Sequence, residues 1–193
     1  MLINFIGCPQ SGKTTTAAKL YSTLKEMGIP SEFIPEQARM AIIEKRVERR
    51  LDVHEQVLLS SKDQLGILKR QFDIEELFLN SCGNDMVIIS DSSALNTLLY
   101  LNDKDYNDSK DLPFLKERLK RKDVHYFLCD PVVWVNSKDP NRIHDKKQSI
   151  EFNDKILKRV LPIMIEPATF LSGTIPSRND QAYSKLMKIL VGV

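Results

Sequence analysis

With 193 residues and a hydrophobic content of 42%, the chain can bury one sizeable core and is too short for two ordinary domains with a linker, so one domain is expected over 1–193. Lys and Arg number 28 against 26 Asp and Glu, and a net charge of +2 is too small to point by itself to a polyanion, which leaves nucleic acid open as a partner. Cys8, Cys82 and Cys129 show no CxxC spacing, no apolar run nears membrane length, and Met1 to Ile6 is too short and lacks the basic flank of a signal peptide, so a cytoplasmic protein is expected.

Short apolar runs alternate with amphipathic stretches, the signature of an α/β sheet covered by helices. The pattern predicts strands at Leu2–Ile6, Glu32–Ile34, Met86–Ser90, His125–Cys129 and Thr169–Leu171. The first helix is expected from Gly12 to Met27, stopped by Gly28 as a left-handed cap and by Pro30. Two helices follow the second strand, one near Glu36 to Arg50 and a long one from His54 to Ser81, together a helical insertion over about 36–82. Asn102 to Pro113 (NDKDYNDSKDLP) reads as a solvated loop, and Lys116 to Lys122 (KERLKRK) as a solvated helix with a DNA-backbone contact as the sharper alternative. Further helices are expected over Ile150–Leu161 and Ser177–Leu190.

Gly7-Cys8-Pro9-Gln10-Ser11-Gly12-Lys13-Thr14 fits GxxxxGK[ST] at every fixed position and lies between an expected strand and an expected helix. Its glycines let backbone N–H groups wrap the phosphates of ATP, and the helix that follows, with Thr14 and Thr15 in its first turn, presents a partial positive charge. Lys13 would reach the β and γ phosphates and Thr14 would ligate Mg2+. Cys8 occupies a variable loop position and is expected to pack.

The third strand ends MVIISDSS. Asp91 is placed to hold Mg2+ directly or through water, or else simply terminates the strand, while Ser92 stands where a hydrolytic NTPase would carry Glu. Asn136-Ser137-Lys138-Asp139 has its Lys one place late for a guanine-specificity box, so GTP specificity is not expected. Glu36, after the second strand, delivers a carboxylate to the sheet edge where ligands of open α/β sheets bind. It is the candidate base that accepts the proton of an acceptor hydroxyl, the alternative being a residue that favours a helix N-terminus.

The series Glu36-Gln-Ala-Arg39, Asp91 to Tyr100, Asp130-Pro-Val-Val-Trp-Val135 and Gly173-Thr-Ile-Pro-Ser-Arg178 resembles the nicotinamide-riboside-kinase-type P-loop domain, an AAA-type ATPase and kinase family that includes phage members. The Glu after strand two and the Asp after strand three are also similar to those of deoxyribonucleoside kinases. The resemblance implies a three-layer α/β/α sandwich with strand order 2-3-1-4-5, a kinase activity, and ATP with Mg2+. It implies that Asp91 is metal-associated, that Trp134 lies near a nucleoside site or else in the core, and that Gly173 and Arg178 belong to the loop that packs on the adenine, Arg178 otherwise being simply a helix N-terminal residue. The family usually carries Arg and Asp where this chain has Ser92 and Asn96, and the loss of that Arg removes a bidentate clamp, which implies an acceptor other than nicotinamide riboside or a different way of positioning it.

Asn136 to Ser149 is dense in cations and reads as a lid, with Arg142 the candidate that supplies charge to the transition state, or as a solvated loop. On the helical insertion, Arg39 and Gln64 are candidate substrate contacts, or part of a wet helix face. The leading expectation is a kinase of a nucleoside-like or nucleotide-like small molecule, with a phage-type kinase of a hydroxymethylated base or other hydroxyl in DNA as the alternative. An ATP-binding regulatory module is a third reading, and a homo-oligomer is left open.

Overall fold

The computed structural model describes residues 1–52, 54–83, 85–110, 112–131 and 146–192, with Lys146 by its backbone alone. Trp134, Arg142 and the lid expected from Asn136 lie outside these residues as far as Asp145. The described elements are β1 (Leu2–Ile6), α1 (Lys13–Glu26), β2 (Ser31–Ile34), α2 (Gln37–Glu48), α3 (Ser61–Ser81) and β3 (Val87–Ser90). They continue with α4 (Asp103–Ser109), α5 (Pro113–Leu119), β4 (Val124–Cys129), α6 (Lys146–Lys155), β5 (Thr169–Leu171) and α7 (Ile175–Val191).

All five strands pair in parallel in the order β2-β3-β1-β4-β5, the sandwich topology that the family resemblance implied. Parallel strands need crossovers, and those crossovers cover both faces, so β1 is buried along its whole length. Its side chains alternate. Leu2 and Ile6 join Leu68, Leu95, Leu98 and Ile156 on one face, while Ile3 and Phe5 join Leu20, Leu24, Ala182 and Leu186 on the other. Each fully buried aliphatic side chain contributes about 1.5–3 kcal/mol.

Helix α1 ends as its sequence dictates. Gly28 adopts φ +72°, its N–H donates to Lys25 O at 3.0 Å, and Ile29 N donates to Leu24 O at 2.9 Å, the paired bonds of a Schellman ending.

Helix α3 begins at Ser61 and not at His54. The Ser60 side chain accepts from Asp63 N, and Asp63 accepts from Ser60 N at 2.8 Å, a capping box that fixes the start seven residues later than hydrophobic periodicity alone suggested. The stretch expected to be a loop after Asn102 instead holds α4, because Asn102 caps it through Asp105 N at 2.9 Å.

Nor is the basic run Lys116 to Lys122 simply solvated. Arg118 is buried, donating to Glu75 Oε2 at 2.6 Å and Glu76 Oε1 at 2.7 Å, and Arg121 pairs with Glu76 and Asp123. Between β3 and α4 the chain makes a buried 3-10 helix, Ala94–Leu99. No helix among the described residues is long and apolar enough to cross a membrane.

Candidate active site

The loop from Gly7 to Thr14 leaves the end of β1 and turns into α1, and two of its positions admit glycine alone. A Cβ on Gly7 would lie 2.5 Å from Ser11 Oγ and 3.0 Å from the Cys129 carbonyl. Gly12 has φ +83°, and a Cβ there would meet Ile175 Cδ1 at 2.6 Å. Lys13 Nζ donates to the carbonyls of Gly7 and Cys8, each at 3.0 Å, so its ammonium lies along the loop. Cys8 is buried against the apolar core, and that burial pushes its thiol up, which agrees with packing.

Two residues brace this loop from outside it. The Arg178 guanidinium is fully buried beneath it, with Nε donating to Gly173 O at 3.0 Å, Nη2 to Asp130 O at 2.7 Å and Nη1 to Ser11 O. The structure therefore places Arg178 against the loop backbone. Gly173, at φ +82°, forms the turn that brings α7 there, and Thr15 is exposed at the start of α1.

Asn96 is the second brace, and sequence reading gave it no role. Its Oδ1 accepts from Gly7 N at 3.3 Å, and its Nδ2 donates to Phe5 O at 3.1 Å and Ser92 Oγ at 2.8 Å. An amide accepts through its oxygen while donating both of its N–H groups, which is what these three bonds require. The Asn that stands where the family usually has Asp was the available signal.

Opposite the loop, Asp91 leaves β3 with its Oδ2 accepting from Thr14 Oγ1 at 3.0 Å. Burial pushes the Asp91 carboxyl up to about 6, the Glu36 carboxylate adds to the rise, and Thr14, Lys13 and Arg39 oppose it. Those couplings gather Lys13, Thr14, Glu36, Arg39 and Asp91 into one electrostatic group. Glu36 precedes α2 at its N-cap position, yet its side chain makes no capping hydrogen bond and stays half-exposed. That place at the start of α2 is also the one its alternative reading, a residue that favours a helix N-terminus, expects.

Asp91 Oδ1 is buried without a hydrogen-bond partner among the described residues. A buried carboxylate oxygen lacking a donor, beside a threonine hydroxyl, offers the hard oxygen ligands that Mg2+ takes together with phosphate oxygens. The residues fit that ion. No cluster of three or more His, Cys, Asp or Glu that could hold a metal by itself occurs among the described residues.

Of the remaining candidates, Gln64 lies buried in the first turn of α3 and Arg39 is half-buried on α2. From the far side, Ser149 at the start of α6 donates its Oγ to the Pro9 carbonyl at 3.1 Å.

The family model for an AAA domain matches residues 2–178. This chain belongs to that AAA domain family. Similar folds include the crystal structure of NadR protein in complex with NAD and AMP-PNP, with a TM-score of 0.68 and 18% identity over 97% of this chain and 48% of that one. NadR in complex with NR aligns at a TM-score of 0.63, 18% identity, 100% of this chain and 51% of that one. The AAA domain chain therefore spans about half the length of the NadR chains that it matches. Deoxyadenosine kinase from M. mycoides, with dCMP and dCDP bound, covers 97% of this chain and all of its own at a TM-score of 0.56 and 14% identity. At such identities the likeness is one of fold alone.

Proposed function

We propose that this AAA domain protein is an ATP-dependent kinase that transfers the γ-phosphoryl group to a hydroxyl of a nucleoside-like or nucleotide-like acceptor. The observation that carries the reading is the grouping of Glu36 and Asp91, from the ends of neighbouring strands, beside the Gly7–Thr14 loop, while Ser92 and not a carboxylate follows Asp91. A hydrolase needs a group that activates water. A kinase instead needs a carboxylate placed to accept the proton of an alcohol.

In this mechanism the loop from Gly7 to Thr14, with Pro9, Gln10, Ser11 and Gly12, wraps the ATP phosphates, and Lys13 leaves the loop carbonyls to reach the β and γ oxygens. Thr14 and Asp91 would hold Mg2+, which supplies charge neutralisation on those oxygens when bound. Glu36 accepts the acceptor's proton, Arg39 and Gln64 contact the acceptor, and Trp134 stacks on its ring. Arg142 would bring a cation over the departing phosphoryl group. Arg178 and Gly173 act on the nucleotide through the shape of the loop.

The test is ADP release from ATP and Mg2+ across nucleosides, nucleotides, nicotinamide riboside and DNA containing hydroxymethylpyrimidine, with Lys13→Ala as control. Stimulation by one small acceptor, lost in the variant, supports the reading and names the substrate. Stimulation by the modified DNA alone transfers it to the nucleic-acid hydroxyl. ATP binding with no stimulation anywhere would refute the kinase reading in favour of an ATP-binding regulatory module.

A further inference from the structure

Helix α3 should bury apolar residues alone along the face that packs on the sheet, and Ile67 and Leu68 obey that rule. Gln71 and Glu75 do not. Both are buried, at 2% and 1% exposure, above Asn4 of β1 and Ser90 of β3, which are themselves register partners. An unsatisfied polar pair there would be costly, so the partners of each atom decide whether the cluster is tolerated or built.

Every bond of the pair is accounted for. Glu75 Oε1 accepts from Gln71 Nε2 at 2.9 Å, and Glu75 Oε2 accepts from Arg118 at 2.6 Å and from Asn4 Nδ2 at 3.4 Å. Gln71 Nε2 also donates to Ser90 Oγ at 3.0 Å. The single Ser90 hydroxyl proton goes either to Glu75 Oε1 at 3.2 Å or to the Ser92 carbonyl at 3.1 Å. With both amide hydrogens directed this way, the Gln71 carbonyl faces outward and accepts from the backbone N–H of Gln37 at 3.1 Å.

That last bond leaves the core for the site. Gln37 is the first residue of α2, and its N–H has no acceptor within that helix. Gln71 therefore caps α2 from a different helix, one residue after Glu36. Through Ser90 it also fixes the residue before Asp91. The same side chain is bonded to the neighbours of both carboxylates, and Arg118 and Glu75 fix its amide orientation.

We infer that Gln71 is a positioning residue that sets where Glu36 stands relative to Asp91, by capping Gln37 and gripping Ser90 at once. This rests on the kinase reading for its catalytic consequence, but not for the cap itself. Two variants are compared with the parent: Gln71→Asn, which keeps the amide and shortens its reach, and Gln71→Met, which removes the polar groups. One readout, hydrogen exchange at the Gln37 amide, is independent of any acceptor. It is expected to accelerate at least tenfold in both variants while the Thr16 amide in α1 is unchanged.

The second readout is acceptor phosphorylation. Expected is a loss in kcat of about tenfold or more with the KM for ATP within about twofold, and no further loss when Glu36→Gln is already present. Unchanged exchange at Gln37 in a folded variant overturns the inference. So does accelerated exchange with full kcat, or a loss that simply adds to that of Glu36→Gln. Should one variant fail to fold, the other decides. If the parent phosphorylates nothing, the kinase reading fails and the exchange arm alone decides whether Gln71 holds the Glu36 turn.

Discussion

Thr14 Oγ1 donates to Asp91 Oδ2 across 3.0 Å, joining the first turn of α1 to the end of β3. The bond favours the ionised carboxylate, yet burial and Glu36 outweigh it and leave Asp91 at about 6. This sets the sign of a pH effect. A carboxyl raised from 3.8 to about 6 binds its proton more tightly in the folded chain, so the folded state loses stability as pH rises through that window.

Replacing Asp91 with Asn removes the titration. Because the residue is only 4% exposed, the whole rise from 3.8 to about 6 applies, which corresponds to about 3 kcal/mol. The stability of Asp91→Asn relative to the parent, in the absence of metal and nucleotide, should therefore improve by about that amount between about pH 3 and pH 8. Urea unfolding at the two pH values measures it. A difference that is flat with pH would contradict the burial argument.

Arg178→Met leaves three buried or part-buried carbonyl contacts without their cationic donor. A hydrogen bond to a charged group is worth about 1.5–3 kcal/mol, so a loss of at least about 3 kcal/mol is expected in chemical unfolding. Ser11 is no longer held, and ATP affinity should fall as well. Weakened ATP binding with unchanged stability would instead indicate that Arg178 meets the nucleotide directly.

Asn96→Asp is nearly isosteric and would still accept from Gly7 N, but a carboxylate oxygen would then face the Phe5 carbonyl. The lost donor and the buried charge should cost about 2–4 kcal/mol and weaken ATP binding. Thermal unfolding and ATP titration check this. A variant as stable as the parent would remove Asn96 from the loop's supports.

Tyr126 tests the opposite case. Its hydroxyl is buried with no hydrogen-bond partner among the described residues, and burial and the nearby Glu75 carboxylate push its ionisation up. Tyr126→Phe should be neutral or stabilising by about 1 kcal/mol in urea, since it removes a desolvated group that gains nothing. A destabilisation above about 1 kcal/mol would show that the hydroxyl is bonded in solution.

The strands and the loop glycines were legible because both are written locally. β1 and β5 fall on their expected residues, and the Gly7 and Gly12 spacing marks the loop before any contact is known. The supports of the site were not legible, since each joins residues distant in sequence: Arg178 to Ser11, Asn96 to Gly7, Gln71 to Gln37. The α3 face did carry a signal. Gln64, Gln71 and Glu75 fall where its apolar stripe continues, and polar residues at buried spacing are more informative than those on a wet face. The start of α3 is set by the Ser60-x-x-Asp63 cap, to which hydrophobic periodicity is blind, and the burial of Arg118 depends on carboxylates of α3 that are distant in sequence.

The most direct measurement follows the labelled γ-phosphoryl group of ATP after mixing with the protein, Mg2+ and the acceptor panel, for the parent and for Glu36→Gln. The account predicts label on one acceptor's hydroxyl, with little released as inorganic phosphate, and a rate at least about a hundredfold lower in the variant. Label found only as inorganic phosphate, or transfer unaffected by Glu36→Gln, would contradict it.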